Sequence, residues 1–165
     1  MASGPIREDR KWFHLGLRHL RISRRLLRWG FADGAVFHAY HGFECLLSAV
    51  IAAKGYPVPP EGWETMYLPS GISVQAYRSP QGMIRDRNAH KARIVLFDEL
   101  ADHASAYFGA YNHLRTFLTY EDRLRLLYYD AAQDRLPQDR YHASFVTQLL
   151  PVLTQFAREV RVEIP

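Results

Sequence analysis

Two arginine–histidine pairs in this 165-residue chain carry the side chains that phosphodiester chemistry needs. In Arg85-Asp-Arg-Asn-Ala-His90 four residues separate the guanidinium from the imidazole, and Asp86 is the polar residue after the arginine. Arg135 and His142 are separated by six, with Pro137 between them. An imidazole that titrates near neutrality can activate a ribose 2′-hydroxyl or protonate a leaving oxygen. A guanidinium can neutralise the charge that builds on the phosphorus oxygens. Of 21 basic residues 18 are Arg, and eight His accompany them, so such spacings also arise by chance. The plain alternative is that His90 opens a helix and packs while Arg85 and Arg87 face water. Tyr128, Tyr129 and Tyr141 lie near the second pair, where they could stack on bases or simply pack between helices.

A second constellation interrupts the apolar run from Val36 to Gly55. His38, His41 and Cys45 fall at i, i+3 and i+7, so one helix could present them together, as part of a zinc site. The chain has no CxxC pair and no second ligand cluster to complete one, and Cys45 is its one thiol. Hydrogen-bonded imidazoles in a helix interface fit better, with Glu44 paired to Arg or His from another helix. No metal and no cofactor are expected. A phosphate-cradling glycine loop and a nucleophilic Ser or Cys motif are both missing from the sequence, which argues against phosphotransferases and hydrolases of those kinds.

Charge is concentrated at one end. Residues 1–30 carry net +6, against −2 for the remainder. Arg7, Lys11, His14, Arg18, Arg21, Arg25 and Arg28 alternate steps of four and three and therefore share one helix face. Like charges at that spacing repel, so solvent, salt or an anionic partner must compensate. A solvated outer face is the commoner outcome for a charge run; a phosphate-tracking stripe for RNA, centred on Arg18, Arg21, Arg25 and Arg28, is the functional one.

The elements that must position these residues read as helices. Composition, 48% hydrophobic and 23% charged, is that of a globular protein, and 165 residues suffice for one domain with a single core. Helical periodicity runs from about 6 to 29, with Phe13, Leu17, Leu20 and Leu27 on one side and Leu26 and Trp29 widening the stripe. A second helix follows, with Asp33 as N-cap and Gly55 as terminator. Residues 56–80, bearing five prolines, form a connection without strand alternation, and the long Pro/Gly-bearing link extends to about 89. Helix resumes near His90, with Ala92, Leu96, Leu100 and Ala104 on one face and a break near Gly109. Tyr111, Leu114 and Leu118 continue it, and Thr119-x-x-Asp122 is a weak start signal for a short extra helix. The last helix spans about 138–160, with Phe145, Leu149, Val152, Phe156 and Val160 on one side and a kink expected at Pro151. The expectation is an all-α bundle of four to five helices. No run approaches the roughly 18 uninterrupted apolar residues of a membrane span. The N-terminal residues lack a signal-peptide core, and the lone cysteine fits a reducing, cytoplasmic setting.

Three islands in order give the chain a resemblance to HEPN domains: Tyr40-His41-Gly42-Phe43-Glu44-Cys45-Leu46-Leu47 closing on Lys54-Gly55; His90-Lys-Ala-Arg-Ile-Val-Leu-Phe97; and Arg125-Leu-Leu-Tyr-Tyr-Asp130 before a final helix. The resemblance spans about residues 10–160. It implies an up-down bundle of four to five helices and a homodimer. It further implies a metal-independent endoribonuclease of a toxin–antitoxin or defence system, whose Arg-x(4–6)-His motifs meet across the dimer near the junction of the third and fourth helices. Other members bind nucleotides, or pair with a minimal nucleotidyltransferase or an antitoxin, without cleaving RNA. On location, His142 would be the acid/base and Arg135 the phosphate-stabilising cation, and this later pair is slightly preferred; on local chemistry the same roles fall to His90 and Arg85.

Overall fold

A computed structural model describes residues 7–67, 69–84, 89–101, 105, 107–118 and 141–164. Among these residues are five helices and three strands: α1 (Glu8–Arg28), α2 (Ala32–Ala53), β1 (Trp63–Tyr67), β2 (Ser73–Ser79), β3 (Gly82–Ile84), α3 (Ala89–Leu100), α4 (Tyr107–Phe117) and α5 (Ala143–Glu163). The protein is predominantly helical, as its periodicity predicts. Thr119-x-x-Asp122, Leu124, Leu127, Tyr128 and Tyr129 lie outside the described residues.

Helix α1 is sharply two-sided. Asp9, Phe13, Gly16, Leu20 and Ser23, at steps of four and three, are buried, while all seven basic positions of the opposite stripe are exposed. Trp29 does not widen the apolar face; it stands 69% exposed in the turn after the helix. Gly30, at φ 84°, closes α1: its N–H bonds Leu27 O, and the Phe31 N–H reaches back to Leu26 O. Gly55, at φ 82°, ends α2 in the same way, as expected. Only glycine takes this left-handed conformation without a Cβ penalty.

Helix α2 is the central element and packs against α1, α3 and α5. Every residue from Gly42 to Ile51 is buried. By length and composition α2 could cross a membrane, but 78% of its apolar window is buried within the protein. His38, His41 and Glu44 interrupt its apolar run, so no uninterrupted stretch of α2 reaches the length of a membrane span. Asp33 lies inside the first turn rather than at the N-cap, which is Phe31 and makes no side-chain capping bond. Buried Ser23 Oγ donates to Ala35 O at 2.6 Å and fixes α1 to the start of α2. The helices cross where Gly16 meets Gly42: a Cβ on Gly16 would lie 3.2 Å from Gly42 O and from the Leu46 side chain.

The connection after α2 is not a plain loop. Strands β1, β2 and β3 form an antiparallel sheet in sequence order, with Trp63 opposite Tyr77 and Tyr67 opposite Ser73. Strand β1 is largely exposed, whereas Ala76 and Tyr77 are buried, so no alternating apolar pattern announces the ribbon. Its turn chemistry was visible: Pro69-Ser-Gly71 joins β1 to β2, and Ser79-Pro-Gln-Gly82 joins β2 to β3. The buried Tyr77 hydroxyl donates to Pro57 O at 2.6 Å and ties the sheet to the end of α2.

Helix α3 ends at Leu100 and α4 begins at Tyr107, so Gly109, expected at a break, lies inside α4, while Ala104 lies outside the described residues. Helix α5 continues through Pro151, which is exposed. Its buried residues are Val146, Leu149, Leu150, Leu153, Phe156, Ala157 and Val160. Phe43, Phe97, Tyr111 and Phe156 meet at the centre of the core, with Phe97 and Tyr111 ring centroids 4.4 Å apart.

A histidine cluster around a buried carboxylate

The interface of α1, α2 and α3 gathers four histidines about Glu44. Three-residue steps along α2 place His38, His41 and Glu44 on neighbouring parts of one helix surface. Helix α1 contributes His19, and the first turn of α3 contributes His90, with Arg93 one turn later.

Glu44 is 2% exposed. Its Oε1 is hydrogen-bonded to His90 Nδ1, and its Oε2 lies 3.3 Å from His41 Nδ1 in a charge contact without hydrogen-bond geometry. The two imidazoles are 26% and 24% exposed, so the carboxylate forms the floor of a site whose histidines reach solvent. Burial pushes the Glu44 carboxyl up, but His41, His90 and the Arg93 charge together outweigh it and hold the carboxyl at about 2. An ionised Glu44 accepts from His90 Nδ1 and so fixes the orientation and tautomer of the ring.

At the other end of the cluster, His19 and His38 face each other Nδ1 to Nδ1 at 2.9 Å. Burial and then the neighbouring charges of His38, His41 and Arg18 lower His19 to about 4; Glu44 alone opposes them. Burial and His41 lower His38 as well. The pair is therefore neutral at pH 7, one Nδ1–H donating to the other Nδ1. Phe37 packs edge-on against His41 with centroids 4.5 Å apart. Arg93 is engaged elsewhere: its Nε donates to Pro59 O at 2.9 Å and its guanidinium covers the Trp12 ring at 5.4 Å.

Among the described residues, His90 is thus the one member of the two arginine–histidine pairs found in a constellation. Arg85 and Arg135 lie outside the described residues. His142 immediately precedes α5, is exposed, and makes no side-chain capping bond. Tyr141 is buried against Phe145, centroids 5.7 Å apart, and so packs rather than stacks on a ligand. Arg18, Arg21, Arg25 and Arg28 are all exposed on the outer face of α1. Cys45 does not join the histidines. It is buried, and burial followed by the Glu44 charge raises its thiol to about 12. Among the described residues no three His, Cys, Asp or Glu side chains converge to hold a metal ion.

Sequence reasoning passed over His19 and Arg93. His19 flanks the buried stripe of α1, and nothing local distinguishes it from a surface histidine. Arg93 follows His90 by three residues, a spacing that puts both on one helix face and was readable. No protein-family model, curated protein or solved structure matches the chain. The functional reading therefore rests on the residues themselves.

Proposed function

We propose that this chain is a cytoplasmic, HEPN-like homodimer that acts on RNA as a metal-independent endoribonuclease of a toxin–antitoxin or defence system. The observation that carries the reading is the His90–Glu44 pair, a partly exposed imidazole oriented by an ionised, buried carboxylate. A base so placed takes the proton of a ribose 2′-hydroxyl as its oxygen attacks phosphorus. The P–O5′ bond then breaks, the leaving 5′ oxygen takes a proton from water, and the imidazolium returns the 2′ proton to the hydroxide so formed. The exposed arginines of α1 steer the polyanion toward the protein.

One observation favours a non-catalytic binding module for nucleotide or a partner protein. Arg93, whose charge acts on Glu44, is occupied by Pro59 and Trp12, so it offers no free guanidinium to a phosphate beside His90. Arg85 or Arg135 would have to supply it.

Labelled RNAs of varied sequence, incubated in EDTA with wild type, His90→Ala and His142→Ala, separate the readings. Cleavage to 2′,3′-cyclic phosphate ends that His90→Ala abolishes and His142→Ala spares is the expected result. The reverse pattern assigns the chemistry to Arg135 and His142. Salt-sensitive RNA binding without cleavage ends the nuclease reading and keeps a binding module that acts on RNA; neither cleavage nor binding ends the RNA reading and leaves the nucleotide- or partner-binding module.

A further inference from the structure

Helices α1 and α5 run antiparallel along a second, open groove of about 520 Å³, away from the histidines. Their direction follows from their contacts: Arg161 lies over the Phe13 ring, while Arg24 donates to Thr154 Oγ1 at 2.7 Å. Half-buried Leu17 and the arginine stems line the groove above Phe13, Leu20 and Ala157, which are no more than 4% exposed. Its walls are four guanidiniums, Arg21 and Arg24 from α1 and Arg158 and Arg161 from α5, and no carboxylate lines it. The acids of the two helices are turned elsewhere: Glu8 accepts from Trp12, Asp9 pairs with Arg7, Glu159 accepts from Gln155 and Glu163 pairs with Lys54. Among the described residues, none of the four wall arginines is paired with a carboxylate. From Phe13 to Arg24 the groove is about 16 Å long at 1.5 Å per residue, or three helical turns.

We infer that this groove docks an acidic amphipathic helix from a partner protein, its apolar stripe over Leu17 and the arginine stems and its Asp and Glu residues against the guanidiniums. A helix lying between two antiparallel helices buries one stripe and presents charge on both flanks, which is the complement of this surface. A second copy of the same face would set guanidiniums against guanidiniums. Single-stranded RNA finds little to stack on here: Phe13 is 4% exposed and covered by Arg161, which leaves His14 as the one accessible ring lining the groove. The inference does not depend on whether the histidine cluster cleaves RNA.

The test is selection of helical 18-residue peptides from a displayed library on the full-length protein. Counter-selection uses Arg21→Glu/Arg158→Glu, whose positions are exposed, with circular dichroism to confirm its fold. Enriched peptides should carry an i, i+3/i+4 apolar stripe flanked by Asp and Glu. The best of them should bind the counter-selection variant at least about tenfold more weakly, and bind Arg18→Glu/Arg25→Glu as it binds wild type. The inference is overturned if no acidic amphipathic sequence is enriched, or if enriched peptides bind both variants alike. It is equally overturned if a 20-nucleotide single-stranded RNA loses affinity for the Arg21/Arg158 variant and not for the Arg18/Arg25 variant, which would assign the groove to nucleic acid.

Discussion

Glu44 of α2 and His90 of α3, 46 residues apart in the chain, share one hydrogen bond at the floor of a solvent-reaching cluster. Around that bond the protein keeps a carboxylate ionised where burial alone would neutralise it. A buried charge persists only with partners of this kind, so each partner is a point where the arrangement can be tested.

Replacing Glu44 with Gln removes the charge that aligns His90 and leaves a buried amide among imidazoles. We expect a loss of about 1–3 kcal/mol in chemical denaturation. We also expect the imidazole resonances of His90 and His41 to shift in NMR, with those of the exposed His142 unchanged. If stability and both resonances match wild type, Glu44 does not organise the cluster.

The neutral His19–His38 pair predicts a pH dependence. A histidine ordinarily at 6.5 sits at about 4 for His19 in the folded protein. Between those values the unfolded chain binds more protons, so the contribution is complete above pH 6.5 and is lost as pH falls toward 4. Because the rings are partly exposed, solvent screens the effect, and we expect about 1 kcal/mol rather than the ~3 kcal/mol of the full shift. Denaturation midpoints measured from pH 7.5 to 4.5 should fall less steeply in His19→Gln than in wild type; equal slopes would clear the pair of this role.

At the α1–α2 crossing, Gly16→Val places branched carbons where a first one already stands 3.2 Å from Gly42 O. Backbone cannot yield as a flexible side chain can, so overpacking should cost about 1–3 kcal/mol. By contrast, Gly109→Ala, where an added Cβ meets nothing within 4 Å, should gain a few tenths to about 1 kcal/mol from helix propensity. Thermal melts of the two variants should move in opposite directions.

Cys45, with its thiol raised to about 12 by burial and the Glu44 charge, should resist modification. At pH 8 its reaction with a disulfide reagent should be slower than that of a free cysteine by more than about 1000-fold, and should recover the full rate in denaturant. Rapid labelling of the native protein would show that α2 opens readily.

Periodicity alone determined the helices and most of the core. Phe13 and Leu20 in α1, the run after Gly42 in α2, Leu96 in α3, Leu114 in α4 and Leu149, Phe156 and Val160 in α5 are buried where their spacing put them. A helix repeats every 3.6 residues, so its buried face is written locally. The exposed arginine face of α1 and the stop at Gly55 were legible for the same reason. The sheet between 63 and 84 was not, because strand β1 faces water and its pairing is a relation between strands rather than a pattern within one. The site depended most on the third dimension. Sequence spacing suggested His38, His41 and Glu44 as a polar seam, and it offered His90 as half of a separate motif. Only the packing of α3 and α1 against α2 joined His90 to Glu44 and brought His19 to His38, because contacts between distant segments are set by how the faces interlock.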